Sequence, residues 1–91
     1  MPKQTDRVQI FNQTYSLLTD SDPAEVQAVA HEVDELMSNI ANRTGSGDST
    51  RVAVLSCLHL ADKLRAAEKQ LEQFESKSER IAALLEETLD L

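Results

Sequence analysis

The stretch STRVAVLSCLHLADKLRAAEKQLEQFESKSERIAALLEETLDL, running from Ser49 to Leu91, holds no proline and no glycine, and it decides the fold. Without either breaker it predicts one uninterrupted helix, about 65 Å long at a rise of roughly 1.5 Å per residue. A compact chain of this size has a radius of gyration of only about 12 Å, so a helix of that length cannot fold back inside its own globule. Its second half is expected to project and to find apolar partners on other copies of the chain.

The apolar pattern of this stretch changes along its length. From Val52 through Ala53, Val54, Leu55, Cys57, Leu58, Leu60 and Ala61 to Leu64 the apolar residues wrap most of the way round a helix, as burial on several sides demands. From Leu64 onward they narrow to alternating steps of three and four: Leu64, Ala67, Leu71, Phe74, Ser78, Ile81, Leu85, Thr88. That period of about 3.5 residues marks a coiled-coil seam. Lys63 and Glu68 fall at flanking positions that favour two parallel helices, whereas Leu84, Leu89 and Leu91 widen the strip toward more than two. Two parallel pairs meeting antiparallel would layer Leu64 on Thr88, Ala67 on Leu85, Leu71 on Ile81 and Phe74 on Ser78. The expected division is a small head over residues 1–63 and a coiled-coil half over residues 64–91.

Upstream, Val8-Gln9-Ile10-Phe11 and Thr14-Tyr15-Ser16-Leu17-Leu18 are rich in β-branched and aromatic residues and are separated by Asn12-Gln13. They predict a β-hairpin turning at Asn12-Gln13, with Val8 and Ile10 on one face and Tyr15 and Leu17 meeting them across the ladder. Asp22-Pro23-Ala24-Glu25 then predicts a helix start, with Asp22 as N-cap, Pro23 in the first helical position and Glu25 completing a capping box. Val26, Val29, Ala30, Val33, Leu36, Met37 and Ile40 give that helix one apolar face. Gly45-Ser46-Gly47 ends it, and Asp48 or Ser49 caps the next. The fold class is α+β: an N-terminal β-hairpin packed on two helices, the second very long and ending in a coiled coil.

The chain has 91 residues, too few for a generous core once nearly half are committed to one long helix. Sixteen acidic against nine basic residues leave a net charge of −7, which argues against nucleic acid or an anionic membrane surface as the main partner. Cys57 is the single cysteine and cannot form an internal disulfide, which fits a reduced cytoplasmic compartment. The opening residues, from Met1 to Asp6, lack the apolar run of a signal peptide, and no stretch approaches the ~20 apolar residues of a membrane span. A soluble protein inside the cell is expected.

Little in the chain points to catalysis. There is no Gly-rich phosphate loop, no paired-cysteine motif, no zinc-protease helix and no nucleophile elbow. Cys57 and His59 stand about 200° apart around a helix and cannot hold one ion together, and with His31 they exhaust the soft ligands. The acid pairs Glu32 with Glu35 and Glu86 with Glu87 read as solvated helix faces. No enzyme, metal or cofactor is expected. A candidate partner surface does exist: Arg43, Asp48, Thr50 and Arg51 cluster around the glycine-bearing connection, where a partner could reach them, and Gln13 in the hairpin turn adds to it.

Hairpin, capped helix, glycine-bearing loop and long helix, in this order, resemble the ZapA family of bacterial cell-division proteins. The resemblance is carried by Val8-Gln9-Ile10-Phe11-Asn12-Gln13-Thr14-Tyr15-Ser16-Leu17, similar to the family's opening hairpin. It is carried further by Arg51-Val52-Ala53-Val54-Leu55-Ser56-Cys57-Leu58-His59-Leu60-Ala61-Asp62-Lys63-Leu64, similar to its alanine- and leucine-rich helix, and by Val33-Asp34-Glu35-Leu36-Met37 between them. Asn12 stands where the family usually has a turn glycine, His59 where asparagine is common and Lys63 where an acid is usual. Gln13 and Ser16 replace basic residues that some members carry on the hairpin. The resemblance implies a non-enzymatic cytoplasmic protein at the division septum that binds FtsZ, the tubulin-like polymer of the division ring, and bundles its filaments. It further implies a homodimer formed through the heads, burying Val52, Leu55, Cys57, Leu58 and Leu60 together with parts of the first helix, and a dimer of dimers formed through the coiled coil. Arg43, Asp48, Thr50, Arg51 and Gln13 are then the expected FtsZ contacts. The competing reading is a coiled-coil adaptor or regulatory subunit whose seam is covered by a different helical protein.

Overall fold

The computed structural model describes residues 2–89, with side chains as far as residue 88. The chain forms β1 (Gln4–Ile10), β2 (Gln13–Thr19), α1 (Pro23–Thr44) and α2 (Ser49–Leu89), the α+β order that the sequence predicts. The expected continuation of the helix to Leu91, Leu91 itself and the side chain of Leu89 lie outside the described residues. Two compact units are present, one up to Leu58 and one from His59 on.

β1 and β2 pair antiparallel, with Val8 opposite Tyr15, Ile10 opposite Gln13 and Gln4 opposite Thr19. The turn is therefore Phe11-Asn12 rather than Asn12-Gln13. Both turn residues have positive φ, 50° at Phe11 and 65° at Asn12, as a type I′ turn requires at its two central positions. Moving a two-residue turn by one position shifts each cross-strand partner by two. Side-chain alternation survives the shift, so Val8, Ile10, Tyr15 and Leu17 share one face as the sequence predicts.

Asparagine tolerates the left-handed region, whereas a bulky residue such as Phe11 pays roughly 1–2 kcal/mol to occupy it. That strain is offset by a hydrogen bond from outside the hairpin: the Phe11 N–H donates to Asp34 Oδ1 on α1 at 2.7 Å. A second tie follows on the same side, where Gln27 Nε2 of α1 donates to the Arg7 carbonyl at 2.7 Å. Together they fix the hairpin to the helix at its turn and at Arg7 of β1.

α1 starts as its sequence demands. Asp22 Oδ1 accepts the Ala24 N–H at 2.9 Å, the Asp22 carbonyl accepts the Val26 N–H at 3.1 Å, and Pro23 takes the first helical position. The cap is one-sided: among the described residues no bond returns from Glu25 to the Asp22 N–H, so Glu25 contributes its charge at the helix N-terminus and not a capping box. At the other end Gly45 adopts φ 66° and ψ 17°, the left-handed cap that glycine adopts without steric cost. Asp48, not Ser49, caps α2, with Oδ1 accepting the Thr50 N–H at 3.0 Å and its carbonyl the Val52 N–H at 3.0 Å.

The core of the first unit is small. Val8, Ala30, Met37 and Val52 are buried, with Val26, Val33, Leu36, Ile40 and Leu55 half-buried around them. Ser56 is buried too, and its hydroxyl donates to the Val52 carbonyl at 2.8 Å, which satisfies it within its own helix. α1 packs against β1 and not β2. The inward face of β2 is left open, with Tyr15 46% and Leu17 43% exposed. Beside it runs an apolar groove of about 400 Å³ lined in part by Ile10, Leu17, Val26, Val29 and Val33.

Candidate functional site

The connection between the helices presents a polar group of residues. Arg43 lies in the last turn of α1, where a cation complements the helix dipole, and Thr50 and Arg51 occupy the first turn of α2. Arg43, Asp48, Thr50 and Arg51 are all exposed. Asp48 is held in place: its N–H donates to Ser46 Oγ at 3.2 Å while its carboxylate takes the Thr50 N–H. Arg51 stands at a helix N-terminus, the end that disfavours a cation, and no acid occupies that first turn. Among the described residues one basic side chain approaches an acid, His31 Nε2 lying 3.6 Å from Glu35 Oε1 on an exposed face of α1. Among the described residues no acid pairs with the guanidinium of Arg43 or Arg51, whose fork-shaped donors suit carboxylates. Gln13 belongs to a different element, opening β2, where its Oε1 accepts the Tyr15 hydroxyl at 3.3 Å.

The five residues expected at a head-to-head contact separate by burial. Val52 is 0% exposed within its own chain, which leaves it no surface to offer a partner, and Leu55 is half-buried. Cys57 is a free, exposed thiol, and Leu58 and Leu60 are exposed. Val54, which that expectation passed over although it lies in the same apolar run, is also exposed.

Along the rest of α2 every seam position from Leu64 to Thr88 is exposed, and Leu64, Leu71, Phe74, Ile81 and Leu85 each keep between 52% and 69% of their surface in solvent. Thr88 donates its hydroxyl to the Leu84 carbonyl at 2.9 Å, which satisfies the polar group along its own helix and leaves its methyl for an apolar neighbour.

Asp34 and Gln27 are positioning residues with no role expected from the sequence, although Asp34 lies within the family-like Val33-Asp34-Glu35-Leu36-Met37. A signal for Asp34 was present: with Ala30 and Met37 it falls at helical spacing on the apolar stripe, where an acid needs a partner. Among the described residues no three His, Cys, Asp or Glu side chains come together as a metal site, and no helix is long and apolar enough to cross a membrane.

Comparison with known proteins adds to this geometry. The family described as "Cell division protein ZapA" matches residues 7–88. A Cell division protein ZapA of Shouchella clausii (strain KSM-K16) is 34% identical over 70 residues, covering 77% of this chain and 90% of that protein. A second, from Geobacillus thermodenitrificans (strain NG80-2), is 27% identical over 79 residues, 87% of each chain. A solved structure described as a ZapA mutant dimer from Geobacillus stearothermophilus superposes with a TM-score of 0.67 at 23% identity, over 85% of this chain and 90% of that one. At that identity the likeness concerns the fold.

Proposed function

Because this chain belongs to the ZapA family of cell-division proteins, we propose that it is a non-enzymatic protein that self-associates and binds FtsZ filaments, cross-linking or bundling them and stabilising the division ring at the cytoplasmic septum. The observation that carries the reading is the row of exposed large apolar residues on α2, from Leu58 to Leu85. Each would have to stay in water in a lone chain, at roughly 25 cal/mol for every Å² of apolar surface that a partner could cover. A second copy supplies the same row in register, as a coiled coil requires. The dimeric solved relative supports the same direction.

In this reading residues 1–63 form the head and residues 64–91 the coiled-coil half. Leu55, Cys57, Leu58 and Leu60 form the head-to-head contact beside the buried Val52, and the seam from Leu64 to Thr88 joins dimers into a homotetramer. Arg43, Asp48, Thr50, Arg51 and Gln13 face FtsZ. An assembly with several filament-binding heads holds two filaments at once, and the second contact forms at a high effective concentration, so weak single contacts suffice to bundle.

Co-sedimentation with FtsZ polymer, run beside light scattering of the protein alone, tests partner and valency together. The natural chain is expected to pellet with polymer. The double variant Arg43→Glu, Arg51→Glu is expected to keep its mass in light scattering and lose most of its pelleting. Undiminished pelleting of that variant removes the loop from the contact, and no pelleting of the natural chain removes the filament.

A further inference from the structure

We propose that the outer edge of β2 pairs with itself: β2 of one copy adds antiparallel to β2 of a second, joining two hairpins into one four-stranded sheet. The inference rests on the reading that the chain self-associates, and it adds a self-contact on the hairpin to the one proposed on α2. In a two-residue hairpin the flanking pair, here Ile10 and Gln13, closes the hydrogen bond of the turn. Alternation along the ladder then makes Val8–Tyr15 and Asp6–Leu17 bonded pairs as well. The N–H and C=O groups of Thr14, Ser16 and Leu18 consequently point away from β1, and those of Thr5, Arg7 and Gln9 point away from β2.

The two outer edges are treated differently. On β1 the outward Arg7 carbonyl is taken by Gln27 of α1, and the strand carries the charges of Asp6 and Arg7. On β2 no described residue bonds to the outward groups of Thr14, Ser16 or Leu18. Every residue from Gln13 to Leu18 is exposed, and the strand holds neither a charge nor a proline, the devices that keep sheet edges unpaired.

The strand is also complementary to itself. Antiparallel pairing about Ser16 is the register in which all seven residues of β2 overlap. It sets Ser16 on the two-fold axis and Thr14 across from Leu18, so that outward backbone groups meet outward backbone groups. Tyr15 then falls across from Leu17 in the non-hydrogen-bonded positions where side chains approach most closely, and such an aromatic–aliphatic pair is a favourable cross-strand contact. Two chains of net charge −7 can meet here because the strand itself carries no charge. A strand opposed to itself makes an isologous contact, the kind a two-fold dimer needs, and four strands are far more stable than an isolated hairpin.

The test uses the full chain with Cys57→Ser, so that the only thiol is an introduced one. Ser16→Cys is placed on the proposed axis and Gln9→Cys on the opposite edge as its control. Under mild copper-catalysed oxidation the Ser16→Cys chain is expected to run as a covalent dimer while the Gln9→Cys chain stays single. Adding Thr14→Lys and Leu18→Lys, both at exposed positions, sets like charges opposite one another and is expected to slow the Ser16→Cys cross-link several-fold. Equal cross-linking at the two sites, or a rate unchanged by the lysines, overturns the proposal. If light scattering shows an oligomer in that case, self-association stands and the β2 edge alone falls. A monomer in light scattering removes both.

Discussion

Up to Leu58 the chain covers part of its own apolar surface; from His59 on it covers almost none. Val8 and Val52 are 2% and 0% exposed, whereas Phe74 is 69% exposed and Leu64 and Leu85 are 59% exposed. All are apolar side chains, and Val52 stands on the same helix as Leu64, Phe74 and Leu85. The difference is that the first unit has neighbouring elements: a two-residue turn returns β2 along β1, and α1 is bonded to the hairpin, by Asp34 at the turn and by Gln27 at β1. An apolar stripe becomes core where the chain supplies a second surface, and otherwise it is an interface awaiting one.

Substitutions in the two regions should therefore fail in different ways. The largest effect is expected for Val52→Asp, which buries an unpaired carboxylate in the first unit and costs about 3–5 kcal/mol, enough to abolish the cooperative thermal transition followed by circular dichroism. Leu58→Glu, only six residues along the same helix but at an exposed site, should leave that transition in place and reduce the mass seen in light scattering. An unfolded Leu58→Glu chain would erase the contrast. Ile81→Glu should act further along, cutting tetramers to dimers in sedimentation and ending FtsZ bundling with the first unit still folded. An unchanged sedimentation mass would show that the exposed seam is not an interface.

Smaller effects sharpen the account of how the first unit closes. Asp34→Ala leaves the Phe11 N–H without its acceptor and should lower stability by about 1–3 kcal/mol, read as a fall in melting temperature, with Asp34→Asn recovering most of the loss. Equal losses for the two variants would mean that the hydrogen bond is not the cause. Smallest of all, Asn12→Gly relieves a left-handed residue in the type I′ turn and should raise stability by a few tenths of a kcal/mol at most. A fall in melting temperature would contradict the turn assignment.

Much of the fold was legible because its signals are local. Asp22-Pro23 marks a helix start by chemistry that acts within one turn, Gly45 marks a left-handed stop, and the absence of breakers after Ser49 marks one long helix. The hairpin was legible in its faces but not in its turn, because alternation is unaffected by a one-residue shift of the loop. Choosing Phe11-Asn12 required knowing that Asp34, 23 residues away, would take the Phe11 N–H. The same limit applies to the apolar run after Val52. Its spacing shows that many sides are apolar, while only the packing separates Val52, which faces inward, from Val54 and Leu58, which do not. The open edge of β2 was hidden for a related reason: which backbone groups point outward depends on the register, and the register depends on that turn.

Everything proposed for this protein requires that a second copy cover what one copy leaves bare. Multi-angle light scattering of the purified full chain at micromolar concentration tests this most directly. A single chain is 10.1 kDa, and the account predicts a mass at an even multiple of that value. A particle that stays at 10.1 kDa across that concentration range would contradict it.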